Sequence, residues 1–308
     1  MCFNDRPRET RTFSRPAMPA FAAFEAIGCR ERITYSTVRD AGFAAYDEAS
    51  CLNLAPPMAS ISRFSMNRWE QSRRLGVRSS TANQEKGHPV LLAKLRLHVV
   101  EVGLAALEMG IVHGTAGNMS ERDPETGLIA ISPSGMLYAT VTPADVVIVD
   151  ENALVHDGKR KPSSETPMHT MVYRRHPHVG AVVHTHSHYS TVVSTIRDCL
   201  PPILTEACLV IGPRVPVTRY GLTGTPDIGE SVLEMMDDTT KAVILRNHGL
   251  ITFGKDFAEA LMIAEIVEES AKVYVHALAA NGGRKPNLIP EQLIPEMRER
   301  FLATYGQQ

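Results

Sequence analysis

From about Pro89 onward the apolar positions follow two alternating rhythms. Leu91, Leu92, Leu95, Leu97, Val99, Val102, Leu104, Leu107 and Met109 recur at the spacing of one helix face and run into Gly110, a residue suited to ending a helix. Short β-branched runs bounded by Gly, Pro, Asn or Asp then predict strands over 128–131, 146–149, 181–186, 215–218, 242–245 and 250–253. Between them the 3.6-residue period predicts helices over 166–175, 188–196, 225–236, 256–280 and 290–303, the third opened by Thr225-Pro226. Strands and helices in this order imply an α/β fold with a sheet flanked by helices.

Residues 1–87 keep neither period. They carry 12 Arg and 1 Lys against 9 acidic residues, a balance of +4, whereas 88–308 carry 19 basic against 25 acidic residues, a balance of −6. Rich in Arg, Ser, Ala and Pro, this stretch is expected to be an N-terminal extension, disordered or preceding the native start, with Met66 as an alternative first residue. A transit segment or a docking tail are the functional readings of the same composition. The folded domain is expected over 88–308. At 308 residues, with a net charge of −2 and 44% hydrophobic residues, the chain reads as an ordinary globular enzyme or binding protein. No apolar run is long enough to span a membrane, no basic cluster in the main body suits a nucleic acid, and five scattered cysteines without a CxxC suit a reducing, cytoplasmic setting.

Candidate chemistry sits in five short segments. Six of the 12 histidines fall between His169 and His188, and His184-Thr185-His186 ends an apolar strand. Alternation along a strand puts His184 and His186 on one face, where they can chelate one ion. His248, directly after the strand 242–245 and before Gly249, offers a third imidazole, and three neutral imidazoles suit zinc or a similar divalent ion better than magnesium or calcium. His169, His176, His178 and His188 are read as surface residues or as supports behind the ligands. Glu165, in Pro162-Ser163-Ser164-Glu165, stands just before a predicted helix, as a carboxylate beside the metal or as a helix cap. Gly114–Ser120 and Ile131–Gly135 are loops of small and hydroxyl residues that suit a phosphate, or ordinary turns.

Gly114 to Ser120, Ser132-Pro133-Ser134-Gly135, Pro162 to Glu165, His184-Thr185-His186 and Asn247-His248-Gly249 occur in the order found in the class II aldolase/adducin family, which this chain resembles over roughly 88–306. The resemblance is to zinc aldolases of the L-fuculose-1-phosphate type. It implies a three-layer α/β/α fold with a mostly antiparallel central sheet, and a homotetramer with sites at subunit interfaces. It also implies one Zn2+ per subunit on His184, His186 and His248, with Glu165 as catalytic acid/base. Gly117, Asn118, Ser134, Gly135, Ser163 and Ser164 would hold the phosphate of a small sugar substrate. The implied reaction is retro-aldol cleavage of a ketose 1-phosphate to dihydroxyacetone phosphate and an aldehyde, which needs no Schiff-base lysine.

The match is not uniform. Thr205 stands where the fuculose-type aldolases carry a proton-donating tyrosine, which makes Glu206 the candidate replacement, and Thr223 replaces an aromatic residue of the aldehyde pocket. Tyr305 resembles the family's tail tyrosine, which closes the site. Within the family the alternatives are a ribulose-5-phosphate 4-epimerase, disfavoured because those enzymes usually carry Asp at the position of Glu165, a methylthioribulose-phosphate dehydratase, or a keto-acid phosphate decarboxylase. An adducin-like binding domain, disfavoured by the three histidines, is the reading from another class.

Overall fold

The computed structural model describes residues 91–304, so the expected extension and Tyr305 lie outside the described residues. The chain runs through α1 (Ala93–Glu108), β1 (Asn118–Arg122), β2 (Ile129–Ile131), β3 (Val147–Val149), β4 (Val155–Asp157) and α2 (Thr166–Arg175). It continues through β5 (Ala181–Thr185), α3 (His188–Ile196), β6 (Cys199–Leu200), α4 (Thr205–Val210), β7 (Val215–Pro216) and α5 (Pro226–Leu233). It ends with β8 (Ala242–Leu245), β9 (Gly249–Gly254), α6 (Phe257–Ala280) and α7 (Ile294–Thr304). Seven strands form one sheet in the order β4-β3-β2-β1-β5-β9-β8. Every neighbouring pair is antiparallel.

Alternation along the strands divides the core into two layers. Met119, Ala130, Ile148, Ala181, Val183, Ala242, Ile244 and Leu250 face α1 and α6, packing with Val99, Ala106, Ile263, Ala264 and Val267. Ile129, Ile131, Val147, Val149, Val182, Val243, Leu245, Ile251 and Phe253 face α2 and α5, packing with Met168, Val172, Ile228 and Val232. Two helical layers therefore bury the two faces of one sheet, the three-layer arrangement that the family resemblance implied.

Most predicted elements form within a residue or two of their expected bounds. β1 was not predicted. Its sequence Asn-Met-Ser-Glu-Arg carries one apolar residue, so it reads as loop, yet it lies between β2 and β5 with Asn118, Met119 and Ser120 all buried. The polar side chains survive there because residues from α2 satisfy them, as described below. The expected strand 215–218 shortens to β7 paired with β6, and Val217 adds a parallel bridge to Ile244 at the sheet edge.

Arg96 staples α1 to the exposed edge of the sheet. Its buried guanidinium reaches the carbonyl of Val146 and Asp157 Oδ2, the latter at 2.5 Å, while Nε donates to Leu91 O at 2.9 Å. Arg96→Met keeps much of the volume and removes those donors, so urea unfolding should register a loss of about 2–3 kcal/mol, and a loss near zero would show the staple to be inert.

Candidate metal centre

His184 is fully buried near the end of β5, His186 lies one residue beyond the strand on the way into α3, and His248 sits in the three-residue turn joining β8 to β9. The rings converge, with centroids 5.0 Å (184–186), 4.8 Å (184–248) and 4.7 Å (186–248) apart. His184 Nδ1 lies 2.9 Å from the carbonyl of Leu250, an acceptor, so Nδ1 carries the proton and Nε2 the lone pair. That Nε2 is 3.1 Å from Glu165 Oε2, and His248 Nε2 is 3.1 Å from His186 Nε2 and 3.6 Å from Glu165 Oε1. His184 Nε2 and Glu165 Oε1 are buried without a hydrogen-bond partner. Buried acceptors are otherwise satisfied in folded proteins, and a cation is the group that satisfies this set. The three imidazoles thus fit a divalent transition metal.

Two glycines let the backbone close around the ligands. A Cβ on Gly249 would stand 2.2 Å from Thr185 O, and one on Gly117, whose φ is +84°, would stand 2.7 Å from His184 O. The turn before Gly249 places Asn247 in left-handed backbone, φ 57°, which Asn tolerates better than most residues. Arg246 anchors this turn by donating to the carbonyls of Ser194 (2.8 Å), Arg197 (3.1 Å) and Thr218 (3.1 Å). On the other flank Glu268 of α6 accepts from the backbone N–H groups of Tyr189 (2.8 Å) and Ser190 (2.9 Å), capping α3 two residues beyond His186.

Glu165 occupies the N-cap position of α2, but its side chain makes no cap and turns into the centre, where it is 4% exposed. Asn118 Nδ2 donates to its Oε2 at 2.8 Å. Burial opposes ionisation of this carboxyl, but the charge of His184 when protonated, the Asn118 amide and the charge of His248 when protonated together outweigh it and pull its pKa well below the usual range, and a cation bound by neutral imidazoles would favour the carboxylate in the same way. Burial, reinforced by His184, pushes His186 and His248 down to about 4 against the pull of Glu165, so both stay neutral and able to ligate near pH 7.

The sequence model of the Class II Aldolase and Adducin N-terminal domain matches residues 97–275, more than half of the chain. The chain belongs to the class II aldolase and adducin family. It is 36% identical over 219 residues to the 5-deoxy-D-ribulose 1-phosphate aldolase of Bacillus thuringiensis serovar kurstaki, covering 71% of this chain and 100% of that protein. It is 32% identical over 225 residues to an L-ribulose-5-phosphate 4-epimerase of Salmonella paratyphi A, covering 70% and 96%. Among solved structures, an L-fuculose 1-phosphate aldolase superposes with a TM-score of 0.63 at 33% identity over 68% of this chain and 96% of that one. The chain is accordingly an enzyme of class II aldolase type.

The other expected site residues of this class II aldolase fall into two groups. Gly117, Asn118, Ser134, Gly135, Ser163 and Ser164 lie on three segments that hydrogen-bond to one another. Ser132 N–H donates to Met119 O (3.0 Å), Ser134 N–H to Lys161 O (2.9 Å) and Ser163 N–H to Ser132 O (3.1 Å), with Pro133 bridging Pro162. Ser134, Gly135 and Ser164 are exposed there, whereas Ser163 is buried and its Oγ accepts from Glu165 N–H at 3.2 Å. Asn118 is buried with both ends of its amide engaged, Nδ2 by Glu165 and Oδ1 by His169 at 2.6 Å, so its side chain supports the carboxylate rather than opening toward a phosphate. Glu206 lies exposed in the first turn of α4, and no described hydrogen bond or ion pair links it to Glu165 or the three histidines.

His169, read from the sequence as a surface residue or a support behind the ligands, Ser120, read as part of a small-residue loop, and Tyr173, which was not singled out, all belong to the buried surroundings of Glu165. The signal was there in Glu165, His169 and Tyr173, which recur at i, i+4 and i+8 on α2.

Purified protein should hold one divalent metal ion per chain by elemental analysis, and His184→Ala should lose it while keeping the circular dichroism of the folded protein. Gly249→Ala, which removes no ligand, should also lose most of the metal, because the new Cβ forces β9 away from Thr185 and His186. Full metal occupancy in Gly249→Ala would show that the close approach is dispensable.

Proposed function

We propose that the protein is a zinc-dependent aldehyde-lyase that cleaves a ketose 1-phosphate to dihydroxyacetone phosphate and an aldehyde. The observation that carries this reading is the meeting of three imidazoles with a buried carboxylate, one oxygen of which has no hydrogen-bond partner. Held by His184, His186 and His248, zinc would supply Lewis acidity toward the oxygens of a ketose. Glu165 Oε1, free of any hydrogen bond, takes and returns the proton on the dihydroxyacetone phosphate half, while Oε2 stays held by Asn118. Gly117, Ser134, Gly135, Ser163 and Ser164 would line the phosphate site, with the exposed Ser134 and Ser164 hydroxyls and the Gly117 and Gly135 N–H groups as donors and Ser163 buried beneath them, which fixes the end of the ketose that faces Glu165. Lys159 and Lys161 are exposed, outside the apolar setting that a Schiff-base lysine uses.

The relatives named as 5-deoxy-D-ribulose 1-phosphate and L-fuculose 1-phosphate aldolases support the substrate class. A homotetramer with sites at subunit interfaces belongs to the same reading. Glu206, exposed on α4, and Tyr305 would then serve as proton donor and closing residue where a neighbouring copy meets the site. Phosphorylated sugars do not cross membranes unaided, which is in keeping with a cytoplasmic reaction. Among the described residues no helix is long and apolar enough to cross a membrane. The folded catalytic domain is taken as 88–308, with 1–87 as an extension.

An enzyme-coupled assay for dihydroxyacetone phosphate, run on zinc-loaded protein, tests the proposal with the 1-phosphates of fuculose, rhamnulose, 5-deoxyribulose and methylthioribulose. At least one should be cleaved, and Glu165→Gln should lower the rate by about 10²–10⁴-fold. Bound zinc without release from any of the four would move the reading to 4-epimerisation, in line with the relationship to the Salmonella epimerase, or to the dehydratase and decarboxylase branches.

A further inference from the structure

Behind Glu165 lies a buried row of polar side chains for which the proposed reaction has no stated use. Asn118 and Ser120 sit two residues apart on β1 and so share a face, while Glu165 leads into α2, whose His169 and Tyr173 follow at four-residue steps. His169 is fully buried between the two strand residues, with Nε2 2.6 Å from Asn118 Oδ1 and Nδ1 2.6 Å from Ser120 Oγ. Tyr173 OH donates to Ser120 O at 2.8 Å and lies 2.9 Å from Ser120 Oγ.

The direction of every bond in this row follows from one end. Asn118 Nδ2 donates to Glu165 Oε2, so the same amide turns its Oδ1 toward His169. Oδ1 only accepts, so His169 Nε2 carries a proton. Burial pushes the His169 pKa down to about 3, which leaves Nδ1 unprotonated and accepting from the Ser120 hydroxyl. All donors therefore point from Ser120 toward Glu165, and each bond polarises the next.

We propose that His169 is a positioning residue for Glu165: its Nε2–H fixes the Asn118 amide, and the fixed amide holds Glu165 Oε2 so that Oε1 alone remains to carry the proton. The role rests on the reading of Glu165 as the proton carrier. Without the Nε2–H donor the amide of Asn118 gains nothing from its present orientation, and a flipped amide would set an oxygen against the carboxylate. Glu165 would then swing away or take up its proton at the wrong oxygen.

The decisive comparison is between His169→Gln, whose longer amide places an N–H near the position of Nε2, and His169→Asn, which reaches only as far as Nδ1. The assay is exchange of the hydroxymethyl hydrogen of dihydroxyacetone phosphate with D2O, followed by NMR on the full-length, zinc-loaded protein, because it needs no knowledge of the aldehyde. His169→Asn should lower the exchange rate by about 10- to 100-fold, with bound zinc, melting temperature and KM close to wild type, and His169→Gln should restore it to within about threefold. In a Glu165→Gln background, His169→Asn should cost nothing further, since both changes remove the same function. Loss of zinc or of stability in step with the rate, failure of Gln to rescue, or an additive loss in the double variant would each overturn the positioning role.

Histidine side-chain 15N–1H NMR of the wild-type protein separates this inference from the reaction it serves. The expected state of His169 is neutral with the proton on Nε2. A proton on Nδ1 overturns the relay whatever the activity, whereas the expected tautomer in a protein that neither exchanges nor cleaves any ketose 1-phosphate would uphold the relay and sink the proposed reaction.

Discussion

Three imidazole nitrogens and a carboxylate meet in one buried pocket, and those of them that carry no proton repel one another at about 3 Å in a poorly screened interior. A chain holds such a group together only if its backbone leaves the side chains nowhere else to go. Much of the local architecture can be understood as meeting that requirement. His184 is tethered through Nδ1 to β9, His248 is carried on a turn locked by Arg246, and the entry to α3 beyond His186 is capped by Glu268. The strain is relieved when a cation enters, so the frame is built for its bound state.

The frame depends on close approach as much as on bonding. Gly117 and Gly249 flank the end of β5 on its two sides and bring β1 and β9 against backbone oxygens where no side-chain carbon fits. On the far side of the carboxylate the polar face of β1 meets a polar stripe of α2 inside an otherwise apolar layer. A row of polar groups buried in this way is favourable only when each member is satisfied, and here every member between Tyr173 and Glu165 has its partner. The Pro133–Pro162 bridge ties the serine loops to the segment that carries the same carboxylate, so the loops and Glu165 form one piece.

Where hydrophobic periodicity is strong the sequence was sufficient. The helices over 166–175 and 188–196 and the strand over 242–245 were predicted with their observed bounds, because apolar spacing and flanking Gly, Pro and polar residues agreed. The convergence of the three histidines was also legible, from a His-x-His at the end of an apolar strand and a histidine directly after the strand 242–245. β1 escaped notice because its buried side chains are polar, and their compatibility with a core depends on His169 and Tyr173, some fifty residues away. The partners of the Asn118 side chain were not legible for a related reason. Its place in a small-residue loop motif suggested contact with a phosphate, whereas its amide is consumed by two neighbours that only the folded chain brings near. The cap position of Glu165 was legible, but the choice between capping the helix and facing the metal was not, since it turns on partners supplied by other elements.

The antiparallel pairing of β1, β5 and β9 has a consequence for how the chain acquires its metal. His184 and its anchoring carbonyl on Leu250 are 66 residues apart, and β1 joins β5 from the opposite direction in sequence. Loops of that length close late, after the local helices and turns have formed. The full ligand set therefore comes together only when the centre of the sheet does, and before that moment the chain offers the ion no more than His184 and His186 on their own. Capture of the ion thus marks the completion of the sheet, and a cell short of the metal would accumulate a chain whose last-formed region stays the easiest to open.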